Sequence, residues 1–246
     1  MTKASRTGIP KALEKAWDTF YKKDFDGALE LFEELMEAGR TPEALFGRAC
    51  ALFRCQENEA AVKDLSALLK EDPMDVRALH TRAIVLGDGE KYKEAARDLE
   101  KVVSMAPDSL EAWSDLGGAC LLKKDFARAS ACFDRCVDLD KACPEGWFGL
   151  GMVALEKNEP RRAVEYFNAA IKLDGNFLLA LLARAEAHFL LKQKEDAQKD
   201  VGRALRLEPD LFRNQEFNQQ GDEDDFDGGE GDDLDEDDMA SYKLDD

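Results

Sequence analysis

The sequence resembles itself at a period of 34 residues, and such a chain buries its apolar faces by stacking copies of one unit. Ala61, Ala95, Ala129, Ala163 and Ala197 stand 34 apart, and Ala28 precedes them by 33. A second series runs Ala16, Ala49, Ala83, Gly117, Gly151, Ala185, and a third runs Phe32, Leu65, Leu99, Phe133, Phe167, Val201. A fourth is Ala12, Leu45, Leu79, Trp113, Trp147, Leu181. Pro73, Pro107, Lys141, Gly175 and Pro209 recur at the same spacing. The coincidence of these series at one period excludes chance.

Inside one period the apolar spacing is helical. Trp113, Leu116, Gly117 and Cys120 form one stripe; Ala129, Phe133, Cys136 and Val137 form another. The polar stretch Lys123-Lys124-Asp125-Phe126 separates them, so each unit is predicted to be helix, tight turn, helix. The small residues let two helices approach closely, and the larger ones fill the space around that contact. Pro at the end of a unit cannot continue the second helix and turns the chain.

These residues carry a resemblance to the tetratricopeptide repeat family, whose unit has this length and this order of Trp or Leu, Gly or Ala, Ala, aromatic and Pro. The resemblance covers six units, residues 9–41, 42–75, 76–109, 110–143, 144–177 and 178–211. It implies an all-α, right-handed superhelical solenoid of six helix-turn-helix repeats. Residues 1–8 are expected to be flexible. Unit one is a residue short at Ala38-Gly39-Arg40-Thr41, and units four and five lack the final Pro. Residues 212–220 are too short for a full capping helix, although Phe212 and Phe217 are placed to fold over the last helix pair.

The resemblance further implies that the first helix of each unit lines a concave face. Carried onto this chain, the inward positions include Leu13, Trp17 and Phe20 in unit one, and Phe46, Cys50 and Phe53 in unit two. Unit three offers His80 and Ile84, unit four Leu121, and unit five Phe148, Met152 and Leu155. Unit six offers Leu182 and Phe189. Any one of these side chains can instead pack against a neighbouring helix. Together they exceed what a core already supplied by the other faces requires, and a contiguous exposed apolar strip marks an interaction site.

The family's carboxylate clamp, which grips heat-shock chaperone C-termini, needs Lys and Asn at the fifth and ninth positions of one first helix. Here those pairs are Leu13/Trp17, Phe46/Cys50, His80/Ile84, Ser114/Gly118, Phe148/Met152 and Leu182/Glu186, and none matches. The expected ligand is therefore an extended or helical protein segment with apolar anchors. Three or four anchors at about 1.5–3 kcal/mol each, less ordering costs, give affinities of micromolar order.

Charge is uneven. Residues 221–246 hold fourteen Asp and Glu against one Lys and carry −13 of the net −19. That tail is expected to be disordered, since so few apolar residues cannot offset the entropy of folding. It is read as a solubilising string, as a lure for a basic partner, or as an intramolecular ligand of the groove through Phe226, Leu234, Met239, Tyr242 and Leu244. Nucleic acid is not an expected partner of so acidic a chain, and no apolar run is long enough to span a membrane. The N-terminus, Met1-Thr2-Lys3-Ala4-Ser5-Arg6, has no signal-peptide pattern, so a cytoplasmic protein is expected.

Six cysteines occur, none in a C-x-x-C pair. Cys132 and Cys136 share a helix face and read as half of a metal or redox site, or as small core fillers. No cofactor or metal is expected. His80 and His188 are the two histidines, and neither belongs to a nucleophile motif. His188 reads as a packed or hydrogen-bonded residue, and Gly87-Asp88-Gly89 as a turn rather than a phosphate loop. The function expected is a non-enzymatic, chaperone-like scaffold or adaptor. The alternatives are an acidic chaperone or mimic that shields a basic protein, and an inactive auxiliary subunit of an enzyme.

Overall fold

The computed structural model describes residues 11–210. The expectations for the N-terminus, for Phe212 and Phe217 and for the acidic string fall outside those residues. Among the described residues twelve helices follow one another and there is no strand. They are α1 Lys11–Tyr21, α2 Phe25–Ala38, α3 Pro42–Arg54, α4 Asn58–Glu71, α5 Val76–Asp88 and α6 Tyr92–Met105. There follow α7 Leu110–Leu122, α8 Phe126–Leu139, α9 Pro144–Glu156, α10 Pro160–Leu173, α11 Leu178–Leu190 and α12 Lys194–Leu207. The chain is an all-α repeat solenoid. The compact unit that ends at Ala204 is described here; Leu205–Asp210 fall outside it. No described helix is long and apolar enough to cross a membrane.

Each helix is bounded by local chemistry. Thr41, Asp75 and Ser109 are N-caps of α3, α5 and α7, each accepting a backbone N–H of the first turn. Between the two helices of a pair the turn repeats one device. Lys23, Gln56, Glu90, Lys124, Asn158 and Lys192 all adopt φ between 57° and 66°, the left-handed region. In five of the six the next N–H then reaches back to close the helix end, as from Lys91 to the Leu86 carbonyl at 2.8 Å and from Asp125 to that of Cys120 at 2.8 Å. The expected hinge at 123–126 is therefore Lys123–Asp125, with Phe126 opening α8. Gly87 and Asp88 belong to the last turn of α5 and Gly89 is its C-cap, so the expected turn there begins two residues later. Trp113 and Trp147 pin each unit to the previous one by donating from Nε1 to the carbonyls of Pro107 (2.9 Å) and Lys141 (3.2 Å).

From α1 to α11 each helix packs on the next. The odd-numbered helices also touch one another, α1 on α3 through to α9 on α11, whereas no such contact joins α2, α4, α6, α8 and α10. A stack whose first helices meet while its second helices splay is curved, with the first helices on the inside.

The core follows a size rule. Phe32, Phe133 and Phe167 are buried knobs on second helices. A Cβ on Gly117 or Gly149 would stand 2.7 and 2.3 Å from the Phe133 ring, one on Gly151 2.3 Å from Phe167, and one on Gly47 2.2 Å from Phe32. Where the knob is the smaller Leu65 or Leu99, the same-unit position is Ala49 or Ala83; Phe32, whose same-unit position is Ala16, has its glycine in the next unit. Three near-buried ion pairs tie first helices to second. Arg48 holds Asp64 (2.7 and 2.8 Å), Arg82 holds Asp98 (2.7 and 2.8 Å), and Arg184 holds Asp200. Arg82 also donates to Ser66 and Arg184 to Asn168, so two of them bridge adjacent units.

Candidate protein-binding groove

The inner surface of α5, α7 and α9 encloses an open trough of about 660 Å3. Its walls come from Ile84 on α5, Leu121 and Leu122 on α7, and Phe148 and Met152 on α9. Phe177 and Leu179 close one end, and Tyr92, Leu99 and Phe133 from second helices form the floor. Gly87, Gly118 and Gly149 lie on the lining; a Cβ on Gly87 or Gly118 would meet nothing within 4 Å, so these two keep it wide, whereas Gly149 makes room for the Phe133 ring. Ile84 and Leu122 are exposed, and Leu121, Phe148 and Met152 half-buried, so each keeps apolar surface in contact with solvent.

Four of the sequence-predicted groove residues thus converge: Ile84, Leu121, Phe148 and Met152. The others do not line this trough. Leu13 is buried at 6% exposure in a core with Ala16, Ala28, Phe32 and Ala51, a correction to its inward-facing assignment. Trp17 stands edge-on to Phe32 (5.2 Å) and Phe20 (5.5 Å), beside Phe46 (6.3 Å), in a half-buried aromatic cluster. Phe46 carries the Arg77 guanidinium over its ring at 5.3 Å. Phe53 is half-buried against the core, and Cys50 is pushed up to about 12 by burial, a thiol rather than a thiolate. Leu155 and Leu182 are half-buried away from the trough, and Phe189 stands 67% exposed near the end of α11.

His80 sits beside the trough rather than in it. Its Nε2 meets Asp115 at 2.6 Å. That hydrogen bond raises the imidazole pKa above its ordinary value, burial opposes the rise, and the charges of Asp115 and Glu111 support it. His80, Glu111 and Asp115 bring their ligating atoms within 4.8 Å of one another, the one such group of three among the described residues. A folded-state pKa above the unfolded value means that the pair stabilises fully below about pH 6.5 and that the contribution is lost as pH rises through the folded pKa. An NMR titration is expected to place the His80 midpoint above about 6.5, and Asp115→Asn to lower it. A midpoint unmoved by that substitution removes the assignment. His188 is hydrogen-bonded, its Nδ1 at 2.7 Å from Gln193 Oε1.

Cys120, Cys132, Cys136 and Cys143 are buried free thiols. Burial pushes Cys136 up to about 12. Cys120 is drawn down to about 7 by its hydrogen bond with Cys132, whose own pKa rises. Cys132 fills the place that Asp98 takes in the preceding unit, with Leu116 in place of Arg82.

A curved stack of helix pairs with an open inner trough is the architecture of a helical-repeat interaction scaffold. The chain belongs to the tetratricopeptide repeat family: two family models with that description match residues 88–147 and residues 13–76, 123–176 and 148–211. Sperm-associated antigen 1 of Mus musculus is 33% identical over 95 residues, 39% of this chain and 10% of that protein. Serine/threonine-protein phosphatase T of Trypanosoma brucei brucei is 28% identical over 93 residues, 38% of this chain and 20% of that one. The chain thus matches about a tenth to a fifth of the length of these relatives. Among solved structures, a tetratricopeptide repeat protein from Parabacteroides merdae superposes with a TM-score of 0.71 at 16% identity, covering 85% of this chain and 88% of its own. PilF of Pseudomonas aeruginosa gives 0.66 at 18%, covering 85% and 96%. YrrB, described as having an unusual peptide-binding site, gives 0.55 at 20%, covering 76% and 97%. These likenesses establish the fold.

Proposed function

We propose that this chain is a non-enzymatic adaptor that holds a segment of another protein in the trough between α5, α7 and α9. The observation that carries this reading is one apolar cavity of about 660 Å3 built by side chains of three successive first helices. A volume of that order takes several apolar side chains, and the walls supply aliphatic, aromatic and thioether contacts of the kind that anchor bound segments. YrrB, with its peptide-binding site, offers a precedent on the same fold. Reversible, micromolar binding suits an adaptor or a chaperone-like holder of exposed segments, and the free thiols suit a reducing, cytoplasmic setting.

The test uses peptides selected from a random library on the full-length chain. Phe148→Asp and Met152→Asp are each expected to weaken the selected peptides by about tenfold or more, the loss of one anchor, at low and raised salt alike. Binding that ignores both substitutions but collapses with salt would instead favour the second reading, in which the acidic residues 221–246 shield a basic partner.

A further inference from the structure

The trough is charged in one sign. Asp115 and Glu145 border it, and among its described lining residues there is no Lys or Arg. Glu111 lies one turn before Asp115 on α7, in the group formed with His80. Neither Glu111 nor Glu145 is ion-paired with a Lys or Arg of the described residues; Glu145 accepts only from the Cys143 thiol, at 3.4 Å. His80 occupies one oxygen of Asp115 and leaves the other. An apolar floor therefore runs beside three carboxylates that have no Lys or Arg partner among the described residues.

We infer that the segment bound in this trough is amphipathic and basic, with Leu, Phe or Met anchors on the floor and an Arg or Lys against Glu111, Asp115 and Glu145. The inference rests on the trough being the docking site proposed above and adds the chemistry of its occupant. A guanidinium offers five N–H donors in a plane and bridges two carboxylates at once. Contact with the apolar wall removes water and strengthens each charge-assisted bond. An acidic segment with the same anchors meets like charge and is rejected, so the carboxylates select among partners that the floor alone would accept.

Three fluorescent peptides with identical apolar anchors at helical spacing, flanked by Arg, Gln or Glu, test this on the full-length chain by anisotropy. The Arg peptide is expected to bind about tenfold more tightly than the Gln peptide, and the Glu peptide more weakly than either. In the double variant Glu111→Gln, Glu145→Gln, the Arg peptide should fall to the level of the Gln peptide, with the Gln peptide unchanged. Equal binding of the Arg and Gln peptides to the unaltered chain overturns the inference. An Arg advantage undiminished in the double variant does the same, because the attraction then comes from elsewhere, such as the acidic residues 221–246. The trough reading is judged separately by Met152→Asp and the Gln peptide: weakened binding keeps the docking site whatever the charge result, and unchanged binding removes the site and the inference together. Failure of all three peptides to bind removes both.

Discussion

Replacing Asp98 by Ala is expected to lower stability by about 3 kcal/mol. Asp98 is 4% exposed and accepts from both Nε and Nη2 of Arg82, whose side chain is itself only 21% exposed. Removing the carboxylate leaves a mostly desolvated guanidinium with a single Ser66 partner at 3.0 Å. The cost is that of an orphaned charge rather than of a lost contact. The chain contains its own control. One unit later the same two positions are Leu116 and Cys132, both buried. Arg82→Leu combined with Asp98→Cys should therefore recover most of the loss, since it removes both charges and copies a pair that packs in this fold. Denaturant unfolding of the two single variants and the double variant supplies the comparison. A double variant no better than Asp98→Ala would mean that the ion pair, not the packing, holds α5 to α6.

That pair also shows where sequence reasoning stopped. The helix pairs were legible because Ala and Gly recur where two backbones must approach, and their spacing survives without any knowledge of neighbours. Arg48, Arg82 and Arg184 recur at the same period, each sixteen residues before an Asp. In sequence a lone charged residue reads as solvated, and here each partner sits on another helix. The left-handed residues at the turns carry no glycine signature either: one is Asn and the rest are Lys, Gln and Glu, held there in five of the six by the backbone bond that closes the helix. Position within a unit picks out Ile84, Leu121, Phe148 and Met152, which line one trough. It did not distinguish Leu13, buried with Ala16, Ala28 and Phe32, or Trp17, edge-on to Phe32, from the side chains that face the trough. Nor could it show that Asp115 pairs with His80 from the preceding unit.

The second large effect is expected at a glycine. In a helix interior Gly→Ala ordinarily stabilises by about 1 kcal/mol. At Gly149 the sign should reverse, with a net loss of about 1–3 kcal/mol. The added Cβ would stand 2.3 Å from Cδ1 and Cε1 of Phe133 and 2.5 Å from Cγ. Those atoms include the root of the ring, which cannot swing clear as the end of a flexible chain would. The ring is 4% exposed, and a Cβ on Gly117 of the other first helix would also stand close to it, at 2.7 Å. Either α9 must move away from α8 or the ring must leave its rotamer. Either way the trough feels the change, because Phe133 and Gly149 both line it and Phe148 and Met152 share α9. Phe133→Leu alone costs packing, but together with Gly149→Ala it sets the smaller knob of Leu65 and Leu99 against a residue that carries a Cβ, as Thr81 and Asp115 do at the equivalent positions. The double variant should then be more stable than the sum of the single changes predicts, by about 1 kcal/mol or more of coupling. Urea midpoints across the four proteins measure that coupling. Additive losses, or a stabilising Gly149→Ala, would show that the Phe133 ring is not gripped between the two helices.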